Sequence, residues 1–305
     1  MKDLTYILIT PARNEEENLA NLIECVAKQT LRPLKWVIVS DNSTDRTEEI
    51  AAAYCEKYDF IELLVLGGER DRSFASKAGA VKAAYARLKD LEFLVVACLD
   101  ADMEFGADCF EILMGKIEAD DRLGRVGPAL IQHANKKEKP QLLARDWHVA
   151  GGVELFRREC YEQMDGHRRL SQGGTDTVAD IMARMHGWKV RTFSEVQAIH
   201  HGEVGKIGGS MFRGRFQYGV QDYSLGYHPL FFLAKMVRRI FHRPYLLGSV
   251  QHCLGYFSAS LRRMDYAVDN DVVEFLRDEQ KARLVMALKH MFHPVEGRPV
   301  SKGCR

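Results

Sequence analysis

The chain has 305 residues, 46% of them hydrophobic and 28% charged, and a formal net charge of +1. A chain of this length buries a core without staples, and the near-zero charge excludes a nucleic-acid binder built on a generally basic surface. The 7 cysteines are odd in number and scattered, with no C-x-x-C pair, which predicts reduced thiols and a cytoplasmic catalytic domain.

The N-terminus runs straight into a strand pattern, without the long apolar segment of a signal peptide. Residues 6–9 form a short apolar run, followed by Pro11 and a helical pattern over 15–29. Strands are predicted at 36–39, 61–66 and 93–97, with helices over 51–58 and 75–88 between them. Continuous apolar strands separated by helices imply a mostly parallel sheet covered on both faces. In such α/β sheets ligands bind beyond the carboxyl ends of the strands. That rule singles out residues 10–15, 40–47 and 99–104. The middle, 126–201, mixes strands and helices, with a strand at 190–199. From 223 to 263 the chain is rich in aromatics, leucine and arginine, with few acidic residues. Residues 272–290 read as a solvated surface helix, and the tail after Pro294 as disordered. The predicted division is a catalytic domain over 1–221 and a helical C-terminal region over 222–305.

Three segments carry chemistry. Asp100-Ala101-Asp102 follows the apolar run ending at Leu99. Two carboxylates at a sheet mouth suit an oxygen-preferring divalent cation, Mn²⁺ or Mg²⁺, although a solvated turn before the next helix explains the triplet equally well. Asp41, at the end of the second strand, is a pure acceptor placed to meet a base or ribose. Ser43, Thr44 and Asp45 read better as helix caps. Glu15 suits a helix start, but a helix start does not explain Arg13 and Asn14 at the crevice.

The ordered set Pro11-Ala12-Arg13-Asn14-Glu15, Asp41-Asn42-Ser43-Thr44-Asp45, Lys77-Ala78-Gly79-Ala80 and Asp100-Ala101-Asp102 resembles the family 2 glycosyltransferases. Gly151-Gly152 with Phe156-Arg157-Arg158, then Gly173-Gly174-Thr175-Asp176 and Gly187-Trp188, extend the likeness over roughly the first two hundred residues. The resemblance implies a GT-A fold, a nucleoside-diphosphate sugar donor and an inverting reaction on a glycan or lipid-linked acceptor, as in polysaccharide or glycoconjugate biosynthesis. It implies that Pro11, Arg13, Glu15 and Asp41 hold the nucleoside, that Gly152 lines the donor site, and that Lys77 lies near the sugar or its diphosphate. Asp102 would bind the metal directly, Asp100 would lie near the ribose and the metal's waters, and Asp176 would be the base.

The chain departs from the family pattern where Thr175 replaces the usual Glu before Asp176, and where Lys82 stands in place of a frequent Asn. In many relatives a histidine near residue 200 completes the metal site; of His200 and His201, His201 is the preferred reading. Residues 202–210 read as a glycine-rich loop or a lid over the donor. Residues 227–241 and 245–261, basic and aromatic but interrupted by charged or polar residues, suit either packing on the catalytic domain or peripheral contact with the inner face of a membrane. A nucleotidyltransferase would carry a glycine-rich phosphate loop where Pro11-Ala12-Arg13-Asn14-Glu15 stands, and a nicotinamide dehydrogenase a G-x-G-x-x-G. A non-catalytic nucleotide-sugar-binding protein on the same scaffold would have no need of all three of Asp100, Asp102 and Asp176.

Overall fold

A computed structural model describes residues 4–67, 74–132, 141–142, 147–202, 210–240 and 245–292. The chain divides into two compact units, Met1–Gly205 and Lys206–Arg305.

The first unit is built on β1 (Tyr6–Ala12), α1 (Leu19–Ala27), β2 (Lys35–Asp41), α2 (Thr47–Lys57), β3 (Ile61–Leu66), α3 (Phe74–Leu88) and β4 (Val95–Leu99). It continues through β5 (Met103–Phe105), α4 (Cys109–Ala119), β6 (Leu123–Gln132), β7 (Gln141–Leu142), β8 (Val153–Arg157), α5 (Arg158–Gln163), α6 (Thr175–Met185) and β9 (Lys189–His200). The strands form one sheet in the order β3-β2-β1-β4-β8-β6-β9-β5, with β7 beside β6. From β3 to β4 the pairs are parallel, because helices return the chain to the same end of the sheet before each new strand. Tyr6, Ile7, Leu8 and Ile9 are all fully buried, as a strand covered on both faces requires. Trp36 donates its indole N–H to Thr10 Oγ1 at 3.0 Å, which satisfies the polar end of the largest buried side chain.

Beyond β4 the sheet becomes mixed. β8 runs antiparallel to both β4 and β6, β6 and β9 are parallel, and β5 pairs antiparallel with β9. The β5–β9 register sets Met103 opposite His200, so the segment after β4 meets the end of β9. Helix α1 starts at Leu19, not near residue 15, because residues 14–16 are committed to hydrogen bonds with residues 43–47. Cys25, Cys55, Cys98, Cys109, Cys160 and Cys253 are free thiols.

The second unit contains α7 (Met211–Ser224), α8 (Pro229–Arg239), α9 (Tyr245–Leu261) and α10 (Asn270–Phe292). A boundary at 221/222 therefore falls inside α7, whose partner in packing is α9. The two helices approach through Gly219 and Gly255: a Cβ on Gly255 would run into the Phe216 carbonyl, and one on Gly219 into that of His252. Phe232 stacks on Tyr256 with centroids 4.0 Å apart. Asp222 is buried and accepts from Lys235 Nζ at 2.7 Å and His252 Nε2 at 2.8 Å. Burial opposes its charge, but these two partners outweigh burial and hold the carboxyl below its ordinary value. Helix α10 is less solvated than its charges suggest, since Val272, Val273, Leu276 and Gln280 are buried. Among the described residues no helix is long and apolar enough to cross a membrane. The tail after Pro294, and all but the ends of the 202–210 loop, lie outside the described residues.

Candidate active site

The loops after β1 and β2 lock together at one end of the parallel strands. Asn14 and Asn42 both adopt φ of 57°, a left-handed conformation that asparagine tolerates better than most residues. Asn14 Oδ1 accepts from the Thr44 backbone N–H at 2.8 Å. Asp45 accepts from Thr47 N and Oγ1 through one oxygen and from Glu16 N through the other. Thr47 Oγ1 accepts in turn from Glu15 N at 2.8 Å. Asp45 thus steadies the start of α2 and also clamps the first loop. Beside this frame, Asp41 is 4% exposed and its Oδ1 has no hydrogen-bond partner among the described residues. An unsatisfied carboxylate oxygen at a strand end is a costly arrangement that a donor group on a ligand would relieve. Pro11 stands opposite Val39 in the same ladder, and Glu15 Oε2 accepts from Asn18 Nδ2 at 2.9 Å.

The second cluster lies where β4 ends. Ligand atoms of Asp100, Asp102 and His200 fall within 4.8 Å of one another. His200 Nδ1 lies 3.0 Å from the Gly202 carbonyl, which can only accept, so Nδ1 carries the proton. Its Nε2 lies 3.5 Å from Asp102 Oδ2, on the side of the ring that a metal ion would take. Two carboxylates and an imidazole are a donor set that suits a divalent cation such as Mn²⁺. Gly202 permits this closeness, because a Cβ there would collide with the Asp102 carboxylate and lie 2.8 Å from His200 Cε1. His201 points elsewhere, with Nε2 3.0 Å from Glu104 on the surface, and only its backbone N–H reaches the Asp102 carbonyl. Lys77 Nζ sits 2.5 Å from Asp100 Oδ1. Partial desolvation opposes its charge, but the carboxylates of Asp100 and Glu154 outweigh it and raise the pKa of this half-exposed lysine.

Two adjacent glycines connect this cluster to Asp176. The Asp100 N–H donates to the Gly152 carbonyl at 2.8 Å, and Gly152 holds φ of +126°, where a side chain is strained and would press on Leu130 and Met103. A Cβ on Gly151 would lie 4.0 Å from Asp176 Cβ. Asp176 stands in the first turn of α6, after Gly174 with φ of 89°.

Behind Asp176 runs a buried ionic network absent from the sequence reading. Arg125 is fully buried; it donates to Asp180, to Glu154 Oε1 at 2.6 Å and to the Asp176 carbonyl at 3.1 Å. Glu154 also meets His167 Nε2 at 2.9 Å, and His148 Nδ1 bonds to Asp180. Burial opposes the Glu154 charge, but Arg125 and His167 outweigh it and hold the carboxyl well below the ordinary range. The sequence signal for these residues is weak: single charges, 29 and 55 positions apart, inside otherwise ordinary strand and helix patterns.

The strand order and the acidic crevice define the α/β class with a GT-A fold. Solved structures with that fold include a mannosyltransferase of Pyrobaculum calidifontis in complex with GDP-Man and Mn²⁺, at TM-score 0.55 and 16% identity over 94% of this chain and 87% of that one. GalNAc-T7 with UDP, GalNAc and Mn²⁺ matches at TM-score 0.62 and 14% identity, over 96% of this chain and 58% of that one. Residues 7–193 match the family described as glycosyl transferase family 2. The chain belongs to that family. A curated relative, a dolichyl-phosphate beta-glucosyltransferase of Trichomonas vaginalis, is 26% identical over 60% of this chain and 62% of its own length. The chain spans 30% and 50% of the length of two others, from Escherichia coli and Bacillus subtilis.

Proposed function

We propose that the protein transfers a sugar from a nucleoside-diphosphate sugar to an acceptor hydroxyl with inversion at C1. The observation that carries this reading is the closeness of the two acidic groups along one backbone segment: Asp100 is bonded to Gly152, and a Cβ on Gly151 would lie 4.0 Å from Asp176 Cβ. Asp41 receives a hydrogen bond from the base or ribose, beside Pro11, Arg13 and Glu15, and Gly152 lines the donor site. Lys77 turns from Asp100 toward the donor's diphosphate. Asp102 and His200 hold a divalent cation, Mn²⁺ or Mg²⁺, with Asp100 beside it. Such a cation supplies Lewis-acid neutralisation of the charge on the departing diphosphate, and Mn²⁺ accompanies the nucleotide ligands in both solved structures above. Asp176 takes the acceptor proton as that oxygen bonds to C1 and the bond from C1 to the diphosphate oxygen breaks.

The test is turnover of UDP-glucose, UDP-N-acetylglucosamine and GDP-mannose with Mn²⁺. Asp176→Asn is expected to lose about 10²–10⁴-fold in rate, and Asp102→Ala to lose its response to Mn²⁺. Undiminished turnover in both variants would reject the site. Pyrophosphate release from a nucleoside triphosphate would point instead to nucleotidyl transfer.

Reduced thiols support action in the cytoplasm. The acceptor class is a glycan or a lipid-linked chain; the dolichyl-phosphate relative supports the second. The second unit supports peripheral contact with an anionic bilayer, through the outward face of α9.

A further inference from the structure

We propose that His148 is a positioning residue for Asp176: anchored through Nδ1 on Asp180, it presents Nε2 to the Asp176 carboxylate and holds that group in its orientation toward the acceptor. The proposal rests on the reading of Asp176 as the base. Its foundation is geometric. The His148 Nε2 to Asp176 Oδ2 distance is 3.7 Å, on the opposite side of the ring from the bond to Asp180. Both carboxylates belong to α6 and lie four positions apart, so one imidazole reaches across a full helical turn.

The anchor is rigid at both ends. Arg125 from β6 binds the Asp180 carboxylate and the Asp176 carbonyl together, which fixes the first turn of α6. Thr192 on β9 donates its hydroxyl to the His148 carbonyl at 2.7 Å, which fixes the backbone that carries the ring. The charged groups facing the imidazole are Asp176 and Asp180 from α6 and Arg125 from β6, with Glu154 of β8 beyond the guanidinium. Burial and Arg125 oppose a positive ring, but the hydrogen bond to Asp180 and the charges of Asp180 and Asp176 outweigh them, so the pKa is raised. The sign follows. Below the raised pKa both ring nitrogens carry protons, and Nε2–H faces the Asp176 carboxylate. As pH rises through that pKa the proton and the orienting charge are lost.

The test uses the full chain. Imidazole resonances are titrated by NMR in the wild type and in Asp176→Asn, alongside the pH profile of UDP-glucose, UDP-N-acetylglucosamine and GDP-mannose turnover with Mn²⁺ in His148→Ala and His148→Gln. His148 is expected to titrate above the ordinary histidine range, and Asp176→Asn to lower its pKa by roughly half a unit or more, the size of one nearby charge at partial exposure. His148→Ala is expected to lose at least about 10-fold in kcat with donor KM held within about twofold. His148→Gln, which keeps an N–H near the place of Nε2, recovers part of the rate and lacks the alkaline decline. A purely structural histidine would lower the melting temperature without moving the alkaline limb. An unchanged His148 titration in Asp176→Asn, or wild-type kcat in His148→Ala, would overturn the proposal. If the titration shifts while Asp176→Asn turns over normally, the base assignment fails and the coupling between the two residues stands.

Discussion

A single methyl group at position 202 would decide whether Asp102 and His200 can share one ligand. Gly202 gives its carbonyl to His200 Nδ1, and the space where its Cβ would stand is taken by the Asp102 carboxylate. Gly202→Ala must therefore displace the carboxylate, the imidazole or the chain itself. Outer partners of metal ligands typically contribute about 10–100-fold in affinity, and a displaced first ligand costs at least as much. Mn²⁺ titration followed by melting temperature is expected to show a loss of that order in Gly202→Ala, with the metal-free melting temperature nearly unchanged. Wild-type stabilisation by Mn²⁺ would exclude Asp102 and His200 as a shared site. The two histidines also show where the sequence stops informing. His200 is the last residue of β9 and His201 the first beyond it, and their side chains part, His201 toward Glu104. Only the pairing of Met103 with His200 selects which of the two meets Asp102.

Helices and strands carry the same lesson at a larger scale. The parallel half was legible because β1, β2, β3 and β4 are short apolar runs with helices between them, and their carboxyl ends carry Asn14, Asp41 and Asp100. The antiparallel half was not, because β6 and β8 contain Arg125 and Glu154, which break the apolar signal and make sense only once they meet each other and Asp180. The α7–α9 pair was equally hidden, since two glycines 36 positions apart, Gly219 and Gly255, announce nothing until they touch. Gly255→Ala tests that contact. Alanine is intrinsically better in a helix by about 1 kcal/mol, but its Cβ meets the Phe216 carbonyl, which is backbone and cannot swing away. Forced overpacking costs about 1–3 kcal/mol or more, so the clash wins and Gly255→Ala is expected to melt lower. A melting temperature at or above the wild type would mean that the two helices do not pack this closely.

For the molecule as a whole, the unexplained feature is the outer face of α9. Leu247, Val250, Leu254, Phe257 and Leu261 lie three and four positions apart on one side of the helix, and are between 42% and 85% exposed. The opposite side, with His252, Tyr256 and Ala259, is buried in the second unit. A stripe of large apolar side chains this continuous is uncommon on a surface that faces only water. Neither α8 nor α9 contains a carboxylate, and Arg262 and Arg263 follow the stripe directly. That charge pattern favours an anionic lipid surface, where each basic residue contributes about 1 kcal/mol. Since the whole chain has a net charge of only +1, the attraction must be local to this face. The full chain is expected to float with vesicles of phosphatidylcholine containing phosphatidylserine, to float less with pure phosphatidylcholine, and to lose flotation in Leu254→Glu with Phe257→Glu. Heptad-like spacing would also suit a helix from a second copy. Sedimentation as a dimer that ignores vesicles, and that the same double substitution converts to a monomer, would assign the stripe to self-association and reject the lipid.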